Sequence, residues 1–272
     1  MKVGFIGVGT ITEAVVTGLC EAEVPGLSIL LSPRSVDRSR KLSERYAAVE
    51  VAADNQQVLD RSELVFLAVR PQDAGAVLDA LGFRRGLKVV SFIATMSSGE
   101  IERQVSPAAF LGRVAPVPPV ARRTGPIAMC PPNRELADFF EPVGTVIQVS
   151  EEAQLDAFFS ASALMAPFFE LLESVSAWLR AQDVDSVDAD TYTGSLFRGI
   201  AARSTQPRGE GFAGLAEEHA TRHGINEQLR REFIAAGFYE GIQAGLDLIQ
   251  ARMQGRAALH DTLDPETLFR KQ

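Results

Sequence analysis

Two glycines one residue apart, Gly7 and Gly9, are the first positions in this chain with chemical consequence. The apolar residues Val3, Phe5 and Ile6 lead into them, and Ile11, Ala14, Val15 and Leu19 follow at helical spacing. Strand, tight turn and helix in succession leave the N–H groups of the first helical turn unpaired and aimed at whatever sits in the turn. Gly7 permits the bend, and Gly9 removes a side chain where a pyrophosphate would approach the backbone. Thr10 and Ile11, in the first helical turn, join the glycines as candidate contacts. The third small residue usual for a dinucleotide turn is Thr12 here, so the motif is incomplete, and a glycine turn with no ligand stays open as the alternative.

A second constellation follows the next apolar segment as Ser32-Pro33-Arg34-Ser35. An acidic residue at this place would bond a ribose 2′-hydroxyl, but no acid occurs before Asp37. A guanidinium offers paired donors and serine adds more, which suits a 2′-phosphate. Ser32, Arg34 and Ser35 are therefore expected to select NADP(H) over NAD; the alternative is a solvated turn. Val69, Arg70 and Pro71 end a third apolar segment, with Pro71 suited to the first position of a helix. Ala94, Thr95 and Pro116 close later segments at the same carboxyl edge, where ligands bind in open α/β sheets. Thr95, Ser97 and Ser98 also fit as caps of the helix that starts near Gly99.

The elements that must hold these residues alternate. Strands are expected at 2–6, 28–31, 64–69, 89–93, 111–114 and 127–130, with a further one at 145–149. Helices are expected at 11–20, 36–46, 72–80 and 98–105. Continuous apolar strands between helices predict an α/β fold with a Rossmann-type, doubly wound parallel sheet. From residue 152 no strand is expected. Helical periods cover 153–180, 188–203, 212–219 and 227–252, so the chain divides into a sheet domain, 1–151, and an all-helical domain, 152–272. Trp178, Phe158, Phe159, Phe168 and Phe169 read as core or interface packing.

Bulk properties narrow the function. Net charge is −8, without the basic footprint of nucleic-acid binding. The unbroken apolar runs, such as 64–69, fall far short of a membrane span. Two cysteines far apart, Cys20 and Cys130, match no metal spacing and read as buried thiols of a reducing compartment. With no signal-peptide pattern ahead of the first strand, a cytoplasmic protein is expected. His219 and His223 stand four residues apart, but a third metal ligand is missing. His223 is alternatively a proton donor or an exposed residue ahead of a helix capped by Asn226.

The runs GFIGVGTITEAVVTGL, LSPRS, LVFLAVRPQ, VVSFIATMS and RVAPVPP resemble, in order and spacing, those of the pyrroline-5-carboxylate reductases. The family's segments run roughly as FIGxGxM, SNRS, AVKPQ and VMPNTP. The resemblance implies a Rossmann domain followed by a helical domain that dimerises by intertwining, with a homodimer or higher homo-oligomer as the expected state. It implies NADP(H)-dependent hydride transfer to the C=N bond of a cyclic imino acid. The family's Asn-Thr between prolines is Val117-Pro118 here. Its SGSGPAY helix start has only an echo in residues 160–168. The family's SPGGTTIAGL loop is best matched by residues 206–215, QPRGEGFAGL, with 221–228 a weaker match. The matched loop makes Glu210 and Gly211 the candidate catalytic positions, facing the substrate opposite the sheet edge. Glu210 is expected to pair with an amine or protonated imine, or else to be a solvated carboxylate at a helix start. Tyr192 and Thr193 would reach a neighbouring site if the dimer intertwines. The departures keep open a reductase of a different, less polar imine or ketone, and an NADP-binding protein without catalysis.

Overall fold

The computed structural model describes residues 1–205, 211–258 and 260–263. It divides into two compact units, one of residues 1–159 with 253–255, the other of residues 160–252 with the described residues from 256. In the first, β1 (Lys2–Ile6), α1 (Thr10–Glu21), β2 (Ser28–Leu31), α2 (Val36–Arg45), β3 (Val49–Val51), α3 (Asn55–Arg61), β4 (Leu64–Leu67), α4 (Pro71–Asp79), β5 (Lys88–Ser91), α5 (Ser98–Val105) and β6 (Ala109–Pro116) follow one another. β7 (Gly125–Cys130), α6 (Arg134–Phe140), β8 (Gly144–Gln148) and α7 (Glu152–Ala161) complete the run. The sheet has eight strands in the order β3-β2-β1-β4-β5-β6-β7-β8. β1 is paired in parallel with β2 on one side and β4 on the other, so the strand order reverses beside the glycine turn that follows β1.

The expected Rossmann-type sheet is therefore present, with one departure: β6 and β7 are antiparallel. Their connection holds only a single turn of 3-10 helix, Pro118–Arg122. A parallel crossover needs about a dozen residues or more, usually with a helix, and the chain here has no room for one. β3, α3 and α6 were not expected. β3 has three residues and α3 and α6 have seven each, too short to show a period. Their signals are local instead: Asp54 and Asn133 cap α3 and α6 by accepting the N–H of Gln57 and Leu136.

Both sheet faces are covered. On one, Phe66 stacks on Phe5, Phe92 and Phe139 at 4.9, 5.2 and 5.4 Å between ring centres, with Phe140 edge-on. On the other, Ile6, Leu67, Val89 and Ile101 are fully buried. Each such side chain contributes about 1.5–3 kcal/mol by leaving water, which holds the strand ends that carry the candidate site.

The regular elements among the described residues of the second unit are all helices. The expected helix 153–180 is interrupted by a 3-10 turn, Ser162–Leu164, between α7 and α8 (Met165–Arg180). α9 (Ser186–Arg203) and α10 (Gly211–His219) follow. The expected helix 227–252 breaks at Gly237, whose φ of 68° ends α11 (Ile225–Ala235) before α12 (Phe238–Met253). Read through its turn, Glu152–Arg180 is long and apolar enough to cross a membrane by length and composition, which counting unbroken apolar runs overlooks. Apolar helices that pack on other helices meet the same two criteria.

Candidate active site

The glycine turn is built from behind. Gly7 has a φ of 95°, and a Cβ on it would lie 2.5 Å from the Ala68 carbonyl oxygen at the end of β4. Its N–H donates to Ser32 Oγ at 2.9 Å, and its carbonyl accepts from Thr12 Oγ1 at 2.8 Å. Ser32 and Thr12 are both buried. Thr12 therefore takes the place of the third small residue by bonding the turn. Ser32, expected to face the cofactor, instead has its hydroxyl committed to the turn's own N–H. Gly9 is the N-cap of α1, and a Cβ on it would meet nothing within 4 Å. The space before α1's free N–H groups is thus open, and these residues fit a dinucleotide pyrophosphate. Ile11 adds its place in the first helical turn, while its side chain packs on the core.

From this turn a groove of about 600 Å3 runs between the ends of β1, β2 and β4, lined by Gly9, Arg34, Ser35, Arg38, Val69 and Arg70 among others. Arg34 lies 3.5 Å from Asp73. Arg70 donates to the same carboxylate at 3.0 Å from Nε, and Pro71 occupies the first turn of α4 as expected. Arg38 was not singled out from the sequence. It donates to Thr10 Oγ1 at 3.2 Å and sits 3.5 Å from Glu13, so α2 reaches back to α1 beside Ser35. Its signal was spacing: four residues after Arg34, one helical turn on.

A second hollow, of about 470 Å3, opens at the ends of β5 and β6, with Ala94, Thr95, Ser97, Glu100, Arg113 and Glu152 among its lining residues. Ser97 caps α5 in a reciprocal box with Glu100, the capping role weighed for it. Arg113 is only 2% exposed. It donates to Glu152 Oε1 at 2.6 Å and to the Ala94 carbonyl, and lies 3.1 Å from Asp156 Oδ1. Burial works against the charge on Glu152. The Arg113 bond and the Ser98 N–H and hydroxyl outweigh it and hold the carboxyl below its usual range. Sequence reasoning passed over this group. The signal was an arginine inside an otherwise apolar strand, with Glu152 and Asp156 one helical turn apart. Pro116 is buried as the last residue of β6, so it shapes the sheet edge from within.

Other candidates stand apart. Glu210 and most of its loop lie outside the described residues. Gly211, with a φ of 64°, is the exposed first residue of α10. α10 ends at His219, and His223 lies in the following turn with a φ of 64°, so the two do not share a helix face. The helix after His223 is capped at Gly224, not Asn226. No cluster of three or more metal-ligating side chains occurs among the described residues. Burial pushes the Cys20 thiol up to about 11, which leaves it protonated.

Residues 2–97 match the family described as NADP oxidoreductase, coenzyme F420-dependent. Across 243 aligned residues the chain is 26% identical to the pyrroline-5-carboxylate reductase of Vibrio alginolyticus, covering 85% of this chain and 89% of that one. Among solved structures, a pyrroline-5-carboxylate reductase from Coxiella burnetii superposes with a TM-score of 0.77 at 22% identity over 94% of this chain and 98% of that one. The Plasmodium falciparum pyrroline carboxylate reductase with NADP bound gives 0.79 at 15% identity over 95% and 98%. The chain is thus similar along most of its length to pyrroline-5-carboxylate reductases and shares their fold.

Proposed function

We infer that this protein is an NADP(H)-dependent oxidoreductase that reduces the C=N bond of pyrroline-5-carboxylate, giving proline. The observation that carries this is the open, glycine-capped N-terminus of α1 with Arg34, Ser35 and Arg38 clustered along the adjoining groove. NADPH, when bound, supplies the hydride. Gly7 and Gly9 with the N–H groups of Thr10 and Ile11 would hold its pyrophosphate, and Arg34, Ser35 and Arg38 its 2′-phosphate. Val69, Arg70 and Pro71 would flank its path, and Ala94 and Thr95, in the turn that follows β5, would lie beside it. The reduction places hydride on the imine carbon and leaves the nitrogen protonated. A cyclic imine is basic enough to arrive as the iminium, so the protein's part is to orient it and exclude water.

The helical unit supports a homo-oligomer. Phe169, Trp178 and Leu229 are 66, 63 and 56% exposed, and α10, α11 and α12 bury no residue. Single chains rarely leave so much contiguous apolar surface in water. A second copy is the partner we assign to it, and sedimentation as a monomer at micromolar concentration would refute this. Both cysteines are free, in keeping with a cytoplasmic setting.

The decisive assay follows NADPH consumption by the purified protein with pyrroline-5-carboxylate, piperideine-carboxylate, simple 2-keto acids and larger apolar imines. Turnover of pyrroline-5-carboxylate is expected. Turnover of the apolar imines alone would transfer the assignment to a less polar substrate, in line with Val117 and Pro118. NADPH binding by calorimetry with no turnover across the panel would leave a cofactor-binding protein without catalysis.

A further inference from the structure

We propose that Arg113 is a positioning residue for hydride transfer, a buried cation whose charge fixes the turn between β5 and α5; this rests on the reductase reading above. The turn, residues 92–97, closes β5 at the carboxyl edge of the sheet, next to β4 and β6. Its Ala94 and Thr95 line the second hollow and are the residues proposed above to lie beside the cofactor. Unlike the glycine turn, which is braced by Ser32 and Thr12 from two sides, this turn contains no glycine to define it.

Arg113 supplies the missing definition. One guanidinium nitrogen donates to the Ala94 carbonyl in the middle of the turn. The other donates to Glu152 Oε1, which also accepts the Ser98 N–H at 2.7 Å and the Ser98 hydroxyl at 3.0 Å. The turn is thus gripped at its centre by the cation and at its exit, where α5 begins, by the cation's own counter-ion. Asp156, one helical turn along α7 from Glu152, brings a second carboxylate to 3.1 Å from the guanidinium, and the Phe159 ring lies 5.4 Å from it. The planar guanidinium fixes the angle between its bonds to Ala94 and Glu152, whereas an ammonium on a flexible stem would leave that angle unset. For packing alone, an apolar side chain of the same volume would serve as well or better. The ion cluster specifies a geometry, and the geometry it specifies is that of residues 94–98.

The test compares wild type with R113M, R113K and E152Q. R113M leaves two carboxylates without their cation and is the variant most prone to misfold. E152Q is the safeguard, because its amide oxygen can keep all three bonds that Oε1 accepts while the charge is lost. Amide hydrogen exchange of residues 95–98 is expected to accelerate in R113M and E152Q. Measured well below each variant's Tm, kcat with NADPH and pyrroline-5-carboxylate is expected to fall about tenfold or more in R113M, since small misplacements of reacting groups carry losses of that order. E152Q is expected to lose less, and R113K to recover part of kcat. KM for NADPH is expected to stay within about twofold, because Arg34 and the glycine turn are untouched. Unchanged exchange in both R113M and E152Q, or lower Tm with wild-type kcat, would overturn the proposal. A wild-type protein that turns over no imine would defeat the reductase reading instead, and the exchange measurement would still decide whether Arg113 holds the turn.

Discussion

The two units of this chain solve burial in opposite ways. The sheet unit is closed on itself: Phe5, Phe66, Val89 and Leu67 are 0% exposed, and helices cover both faces. In the helical unit α8 buries only Ser176, a polar residue, while Phe169 and Trp178 stand in water. The first unit buries its apolar faces within itself, and its groove is formed by its own strand ends. The second has apolar surface that becomes useful only against something else.

The sharpest way to break this contrast is to truncate one aromatic in each unit. Phe66→Ala removes a ring packed among four others and should destabilise the protein by about 3–5 kcal/mol in urea unfolding. A cost under ~1 kcal/mol would mean the sheet unit is not the self-sufficient core described. Phe169→Asp in a lone chain should cost less than ~1 kcal/mol, as its ring is 66% exposed and touches Phe168 edge-on. If the helical face binds a second copy, the same change should weaken association by at least ~2 kcal/mol, roughly thirtyfold in Kd. Sedimentation of the variant and the parent across a concentration series separates the two outcomes.

The same contrast explains what could be read in advance. β1, β2 and α5 were legible to the residue, because a buried strand is a continuous apolar run and a capped helix announces its start. The glycine turn was legible, since Gly7 and Gly9 have few other uses between a strand and a helix. Ser32 was read as a ligand contact because a serine at a strand end looks alike whether it faces outward or back toward Gly7. Arg113 escaped for the opposite reason: a lone arginine in a strand suggests an edge or a surface. Only tertiary structure brings Glu152, thirty-nine positions away, to its guanidinium. In the helical half, 227–252 kept its period across Gly237, so periodicity carried the prediction through a real break.

The groove supplies a further test within the sheet unit. Removing the Arg34 side chain should weaken NADPH much more than NADH, by about 1.5–3 kcal/mol for a lost charge-assisted contact, or roughly tenfold and upward. Equal losses for both cofactors, measured as Kd by titration, would show that Arg34 does not reach the 2′-phosphate.

Acid should find the Arg113 cluster too. The Glu152 carboxyl is held below its ordinary value in the folded chain, against the pull of burial, by Arg113 and Ser98. Its contribution is therefore fully present above the unfolded value of about 4.3 and fades as pH falls through the depressed folded value. Thermal midpoints taken from pH 7 downward should fall less steeply for E152Q than for the parent in that acid range. Parallel curves would mean that Glu152 gains nothing from its partners on folding.

The smallest expected effect concerns Asp73. Its carboxylate lies between two arginines of the groove, 3.5 Å from Arg34 and 2.9 Å from Arg70. Arg34 belongs to the segment after β2 and Asp73 to the first turn of α4, so the pair spans the groove from one wall to the other. A 2′-phosphate must compete with Asp73 for Arg34. Exposed ion pairs of this kind contribute about 0–1 kcal/mol, and Arg34 is 62% exposed, so the competition is mild. Asp73→Asn should release Arg34 and tighten NADPH by up to about fivefold. NADH, which lacks the phosphate, should change little. Fluorescence titration of both reduced cofactors reads the ratio directly. Looser NADPH binding in this variant would reverse the reading, making Asp73 the group that holds Arg34 in place for the phosphate rather than its competitor.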